Sequence, residues 1–163
     1  MFEIWKKIIP NDFNDESRVW IYQASRIFFM SEALEIESML ENFVSTWLSH
    51  GAKVKGYANL LFGQFIVIIA DQQQTNVSGC STDSSVRLIK DIEQRFNVSM
   101  FDRTHLAFII KNKVQVLPMA QLHHAVQHGF IDIDTIYFNN TVLTKKDLLE
   151  KWLIPIKNSW LAD

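Results

Sequence analysis

A chain of 163 residues with 48% hydrophobic and 21% charged side chains has the length of one domain and the composition of a globular protein. Its formal net charge of −2 gives no basic surface for nucleic acid, and no apolar run approaches the roughly 20 residues that span a bilayer. The single cysteine, Cys80, and the lack of an apolar leader in residues 1–10 favour a reducing, cytoplasmic compartment.

The first 71 residues predict a strand, a helix and two further strands. Residues 19–24 are rich in β-branched and aromatic side chains, which is typical of a strand. Ser31 is a suitable N-cap for a helix whose apolar residues recur every three or four positions until Gly51 stops it. Residues 54–62 and 64–71 predict two strands, and the second is apolar on both faces, as a covered central strand would be.

The rest of the chain alternates between helices and strands. The predicted strands are 98–101, 107–110, 114–117, 136–138 and 141–143, and the predicted helices are 83–96, 121–128 and 144–153. Asn139-Asn140 is expected to form a tight hairpin turn, and Thr144 to cap the last helix. Up to about residue 110 the order is β-α-β-β-α-β, which predicts an α+β, ferredoxin-like core with a C-terminal α/β extension in one domain, 1–163.

One long polar loop is the place where function is expected. Residues 72–82 precede the helix predicted from Asp83, and most connections in compact domains are shorter, about 4–6 residues. Free backbone N–H groups at a helix start, together with hydroxyl groups and an arginine, favour an anion. The candidate ligand-binding residues are Ser78, Gly79, Ser81, Asp83, Ser84, Ser85 and Arg87 of this segment, and Arg26 after the first strand.

Cys80 is a candidate nucleophile in the same segment. Six residues separate it from Arg87, whereas cysteine-dependent phosphatases have five in their Cys-x5-Arg loop, so the resemblance to that loop is loose. A helix N-terminus lowers a thiol pKa by at most about 1.5 units, so a strongly acidic thiol would need a cation such as Arg87. The alternative is that Ser81, Thr82 and Asp83 only cap the helix and Cys80 is a small core residue.

Weaker candidates lie elsewhere. His124 and His128 could share a helix face as metal ligands, but the sequence offers no third ligand, which favours a solvated or capping role. Asp102 and Arg103, with His105 nearby, form either a turn ion pair or the acid of a site, and the turn is favoured. No metal and no cofactor are expected.

Three strings resemble a family of small bacterial proteins of unknown function, some of which are labelled ABC-transporter ATPases. The strings are Val19-Trp-Ile-Tyr-Gln-Ala-Ser-Arg26, Ser78-Gly-Cys-Ser-Thr-Asp-Ser-Ser-Val-Arg87 and Phe138-Asn-Asn, and the resemblance runs nearly the full length. The residues do not support the ATPase label, because Gly-x-x-x-x-Gly-Lys-Ser/Thr is absent. The resemblance implies no mechanism but directs attention to the same polar loop.

The function expected from these patterns is a binding or regulatory module that recognises a small anionic ligand at residues 78–87. A protein partner, or a homodimer formed through an exposed sheet face, is also expected, without nucleic acid or membrane. Two alternatives stay open: a thiol-dependent hydrolase acting on phosphate esters or acyl compounds with Cys80 as nucleophile, and a structural interaction protein.

Overall fold

A computed structural model describes residues 3–71 and 79–162, with only the backbone described at 79–81. The strands are β1 (Arg18–Gln23), β2 (Leu48–Ser49), β3 (Ala52–Lys53), β4 (Lys55–Leu61), β5 (Phe65–Asp71), β6 (His105–Ile110), β7 (Lys113–Pro118), β8 (Ile136–Phe138) and β9 (Leu153–Pro155). The α-helices are α1 (Met30–Thr46), α2 (Gly79–Phe96), α3 (Leu122–Gln127) and α4 (Lys145–Lys151). Within these ranges, none of the helices has the length and apolar character needed to cross a membrane.

The strands of the described ranges form three antiparallel sheets, in a mixed α/β arrangement. Their strand orders are β1-β5-β4, β2-β3 and β7-β6-β8-β9. The ferredoxin-like arrangement is not confirmed, because β6 does not join the sheet of β1 and pairs instead with β7 and β8. The reason is local. Lys111 and Asn112 both adopt positive φ angles, 53° and 63°, and this two-residue turn folds β6 directly onto β7.

β5 is the central strand of the first sheet and is buried along its whole length. Its side chains alternate between two cores, because successive residues of a strand point to opposite faces. Ile66, Ile68 and Ala70 pack in the core that contains α1 and α2. Phe65, Val67 and Ile69 pack in the core that contains the N-terminal segment, α4 and part of the second sheet. The two long helices therefore cover one face, and the C-terminal third covers the other.

An aromatic cluster joins the two larger sheets. The ring of Phe65 on β5 stacks on that of Phe138 on β8 at a centroid distance of 4.5 Å. Trp152, after α4, meets both rings edge-on at 5.4 and 5.5 Å. Because both faces of the first sheet are covered, this sheet offers no exposed face for the homodimer expected from the sequence.

The helix predicted up to Gly51 ends earlier, at Thr46. His50 and Gly51 have φ angles of 51° and 81°, which are the positive angles of a two-residue hairpin turn, and they join β2 to β3. Phe62 and Gly63 also have positive φ angles, 56° and 65°, and form a two-residue turn between β4 and β5. The sequence predicts two strands on either side of this turn. A glycine that follows a helical pattern can thus mark a hairpin instead of a helix end.

Two short segments predicted as strands are not strands. Residues 98–101 close the end of α2: the Val98 N–H donates to the Glu93 carbonyl, and the Met100 N–H donates to the Glu93 carboxylate at 2.7 Å. Residues 141–143 do not pair with β8, because the Asn139 side chain accepts hydrogen bonds from the backbone and hydroxyl of Thr141 and forms a local turn.

Candidate functional site

The segment predicted as an anion site begins a helix earlier than expected, since α2 starts at Gly79 and not near Asp83. Ser78 lies outside the described residues, and so do the side chains of Cys80 and Ser81 and the surroundings of Gly79. Their roles as ligand, nucleophile or cap therefore stay predictions.

The described candidates of that segment point in different directions. Asp83 is exposed. Ser84 and Arg87 line a groove of about 540 Å³ together with residues of α1. Ser85 is fully buried, and its hydroxyl donates to the Thr82 carbonyl at 2.7 Å.

Arg26 lies at the other end of α2. Its guanidinium forms two hydrogen bonds with the Glu32 carboxylate, at 2.8 and 2.9 Å, and a third with the Phe96 carbonyl at 2.8 Å. An 18-residue helix is about 27 Å long, so the structure does not bring Arg26 to the start of α2. The described residues of that predicted site are thus distributed over a groove, a core and the far end of a helix.

A second cavity, of about 470 Å³, gathers polar and aromatic side chains from four separate parts of the chain. This volume lies within the roughly 300–1,000 Å³ typical of small-molecule sites. We call it the inter-sheet cavity. Its aromatic lining residues are Tyr22, Phe101, Tyr137, Phe138 and Trp160, and its polar lining residues are Gln23, Asp102, Arg103, His105, Asn140 and Thr141.

Asp102 and His105 form a hydrogen-bonded pair in this lining. The Asp102 carboxylate lies 2.8 Å from His105 Nδ1, and it accepts hydrogen bonds from the Thr104 hydroxyl at 2.6 Å and the Thr104 N–H at 2.8 Å. The two hydrogen bonds from Thr104, with a smaller effect of His105, lower the pKa of Asp102 below its ordinary value. The carboxylate is therefore the acceptor, Nδ1 of His105 carries a proton, and Nε2 is left for another partner.

A chain of side-chain amides crosses from the first sheet to the buried aromatic cluster. Trp152 Nε1 donates to Asn140 Oδ1 at 2.9 Å, and Asn140 Nδ2 donates to Gln23 Oε1 at 2.9 Å. Gln23 Nε2 in turn donates to the His105 carbonyl at 3.1 Å. These three hydrogen bonds hold the side chains of Gln23 and Asn140 in place. Each amide nitrogen also carries a second N–H, which can donate to a ligand.

Arg103 gives the lining of the inter-sheet cavity a positive charge that no carboxylate of this lining pairs with. In the described ranges no hydrogen bond or ion pair joins its guanidinium to another residue, whereas the neighbouring Asp102 is engaged by Thr104 and His105. Two aromatic rings of the same cavity, Phe101 and Trp160, are 40% and 46% exposed. A cavity lined by an unpaired cation and by half-exposed rings suits an anionic ligand with a flat apolar body.

Tyr22 connects the inter-sheet cavity to α2. Its ring lines the cavity, and its hydroxyl lies 3.4 Å from Ser85 Oγ. Burial raises the pKa of Tyr22 above its ordinary value, so the phenol stays protonated at neutral pH. The sequence-predicted segment therefore supports the wall of the cavity through Ser85.

No metal centre of three or more His, Cys, Asp or Glu side chains occurs among the described residues. Among these lining residues, the sequence analysis named Asp102, Arg103 and His105 but favoured a turn for them. It did not predict Gln23 or Asn140 as site residues, and it interpreted Asn139-Asn140 as a hairpin turn. Gln23 and Asn140 do occur in the first and third strings of the resemblance described above, and these strings were the only feature of the sequence that marked the two residues.

Comparison of the chain with protein-family models, with curated protein sequences and with solved structures finds no match.

Proposed function

We propose that this protein is a binding module for a small organic anion with an aromatic or similarly flat body, held in the inter-sheet cavity. The observation that carries the proposal is that Arg103, which has no hydrogen bond or ion pair within the described residues, lines the same cavity as the half-exposed rings of Phe101 and Trp160. A charge-assisted hydrogen bond from Arg103 would hold a phosphate or carboxylate, and the rings would cover the apolar part of the ligand.

The rigid amide chain supports the same proposal. Gln23 and Asn140 are already fixed by their bonds to His105 and Trp152, so orienting their remaining N–H groups toward a ligand costs little conformational entropy. The anionic ligand expected from the sequence is retained, but its proposed place moves from residues 78–87 to the inter-sheet cavity.

The test is a calorimetric titration of the full chain with four probes: phenyl phosphate, phenylacetate, inorganic phosphate and benzyl alcohol. We expect the two aromatic anions to bind more tightly than inorganic phosphate or the uncharged alcohol. Arg103→Gln should weaken their binding roughly 10- to 100-fold, because a hydrogen bond to a charged group contributes about 1.5–3 kcal/mol.

Arg87→Gln is the matched control, because it removes the same charge from the groove beside α1. It should leave the affinity unchanged. Loss of binding in Arg87→Gln with retention in Arg103→Gln would return the ligand to the 78–87 segment. Failure of all four probes to bind would contradict the binding proposal itself.

A second candidate function is acid–base chemistry on the bound molecule, and the Asp102–His105 pair favours it. A histidine whose Nδ1–H is oriented by a carboxylate presents Nε2 as a general base, the arrangement used to activate water or a hydroxyl group. Hydrolysis of 4-nitrophenyl acetate tests it: water adds to the acyl carbon, His105 takes its proton, and nitrophenolate leaves.

We expect His105→Gln to lower the hydrolysis rate at least 100-fold, and Asp102→Asn to lower it less while changing its pH profile. His50→Gln is the control, because His50 lies in the β2–β3 turn, away from the cavity lining. Equal rates in the native protein and His105→Gln would restrict the protein to binding.

A further inference from the structure

Two histidines lie side by side at the end of α3. His124 is in the helix, and His128 follows it and closes the last turn, with its backbone N–H donating to the His124 carbonyl at 3.0 Å. The two rings have a centroid distance of 4.1 Å and an interplanar angle of 38°. Both side chains are exposed, so their nitrogens are accessible to an ion from solvent.

The spacing of the rings suits one shared ion. A tetrahedral metal with nitrogen ligands at about 2.0–2.1 Å holds two ligand nitrogens about 3.3 Å apart. The centroid distance of 4.1 Å between the two rings is close to that separation.

We propose that His124 and His128 form a two-histidine chelate for a divalent transition-metal ion, with affinity highest for Cu²⁺ and lower for Ni²⁺ and Zn²⁺. Among the described residues no third His, Cys, Asp or Glu completes the site. The remaining coordination positions are therefore open to water or to a ligand donated by another molecule. No residue of α3 lines the inter-sheet cavity, so this proposal is independent of the proposed function.

His123 provides an internal control. Consecutive helical residues are rotated by about 100°, so His123 faces a different side of α3 from the pair at 124 and 128. It has the same side chain and the same local charge but cannot join the chelate. Cys80 needs a separate control, because a thiol also binds these ions.

The experiment is titration of the full chain with CuCl₂, NiCl₂ or ZnCl₂, each alone, in a non-chelating buffer by calorimetry. The background is Cys80→Ser, and folding of every variant is checked by circular dichroism. We expect one ion per chain, an affinity at least tenfold lower in His124→Gln and in His128→Gln, and no change in His123→Gln. Binding should weaken at acidic pH, because protons compete for the imidazole nitrogens.

A second readout is the midpoint of thermal unfolding, Tm, since an ion that binds only the folded chain raises it. Zn²⁺ should raise Tm in the Cys80→Ser background and fail to raise it in His124→Gln/His128→Gln. Equal binding and an equal rise in Tm in that double variant would overturn the proposal, as would the absence of any binding before substitution.

Discussion

The carboxylate of Glu32 joins the start of α1 to the end of α2 through a single arginine. It accepts two hydrogen bonds from Arg26, at 2.8 and 2.9 Å, and one from the Phe29 N–H at 2.8 Å. Arg26 also donates to the Phe96 carbonyl at the last residue of α2. The hydrogen bonds from Arg26, followed by that from Phe29, lower the pKa of Glu32 from 4.5 to about 2.

The lowered pKa of Glu32 predicts how this contact depends on pH. Because the folded-state pKa lies below the unfolded-state value, the ionised carboxylate stabilises the folded chain fully above about pH 4.5, and this contribution is lost as the pH falls toward 2. Glu32→Gln keeps the acceptor but removes the charge. Its free energy of unfolding should therefore fall below that of the native protein near neutral pH and approach it in acid.

Urea unfolding at a series of pH values measures this difference. Glu37→Gln is the matched control, since Glu37 is an exposed residue of the same helix with no hydrogen bond or ion pair in the described part of the chain. A difference between the native protein and Glu32→Gln that stays constant from neutral pH to about pH 2 would contradict the predicted role of the Glu32 charge.

Single caps were partly predictable from the sequence. Thr144 is confirmed as a cap, because its hydroxyl accepts from the Asp147 N–H at 3.2 Å. Ser31 is wrong as the first cap: α1 begins at Met30, and Glu32 reaches back to the Phe29 N–H instead. The residues around position 30 allow a cap by Ser31 or by Glu32. The hydrogen bonds from Arg26 hold Glu32 in the capping position, and the sequence pattern around Ser31 does not include Arg26.

At the scale of elements, β4 can lie close to the end of α1 only because residue 56 is glycine. A Cβ atom at Gly56 would lie 2.6 Å from Cε3 and 2.9 Å from Cζ3 of Trp47. Trp47 is itself only 2% exposed and packs against Phe43 and Trp20. Movement of the indole away from an added Cβ atom would therefore disturb these aromatic contacts.

Gly56→Ala should destabilise the protein by about 1–3 kcal/mol, since one added methyl group overpacks this contact. Thermal and urea unfolding measure the loss. Gly51→Asn is the control, because a Cβ atom there meets nothing within 4 Å and asparagine tolerates the left-handed backbone at φ +81°. Its effect should stay within about 0.5 kcal/mol. Equal stability of Gly56→Ala and the native protein would show that α1 shifts away from β4 without cost.

Helices and strands with a long, regular apolar pattern were predictable from the sequence, whereas the contacts between distant elements were not. The apolar spacing of α1 and α2 and the continuous apolar run of β5 correspond to buried faces. Asn139-Asn140 has the composition of a hairpin turn, yet Asn140 bonds to Gln23, which is 117 residues away in the chain. Periodicity carries no information about such a distant partner, so the inter-sheet cavity could not be derived from it.

At the scale of the whole molecule, the two larger sheets share one core. Trp152 is fully buried and meets the rings of Trp5, Phe65 and Phe138 at centroid distances of 5.0, 5.4 and 5.5 Å. These rings come from the N-terminal segment, the first sheet and the second sheet. If either sheet were removed, the apolar face of the other would be exposed to solvent. One domain over residues 1–163 stays a prediction, and the shared core makes it testable.

A shared core predicts that the chain unfolds in one cooperative step. The urea transitions followed by far-ultraviolet circular dichroism and by tryptophan fluorescence should coincide. Trp152→Ala should lower the free energy of unfolding by about 3–5 kcal/mol, because it leaves a large cavity where the two sheets meet. Its remaining transition, followed by circular dichroism and near-ultraviolet absorbance, should still be single. Two separated transitions in the native protein would mean that the sheets fold independently, and the inter-sheet cavity would then lie at a boundary between two domains.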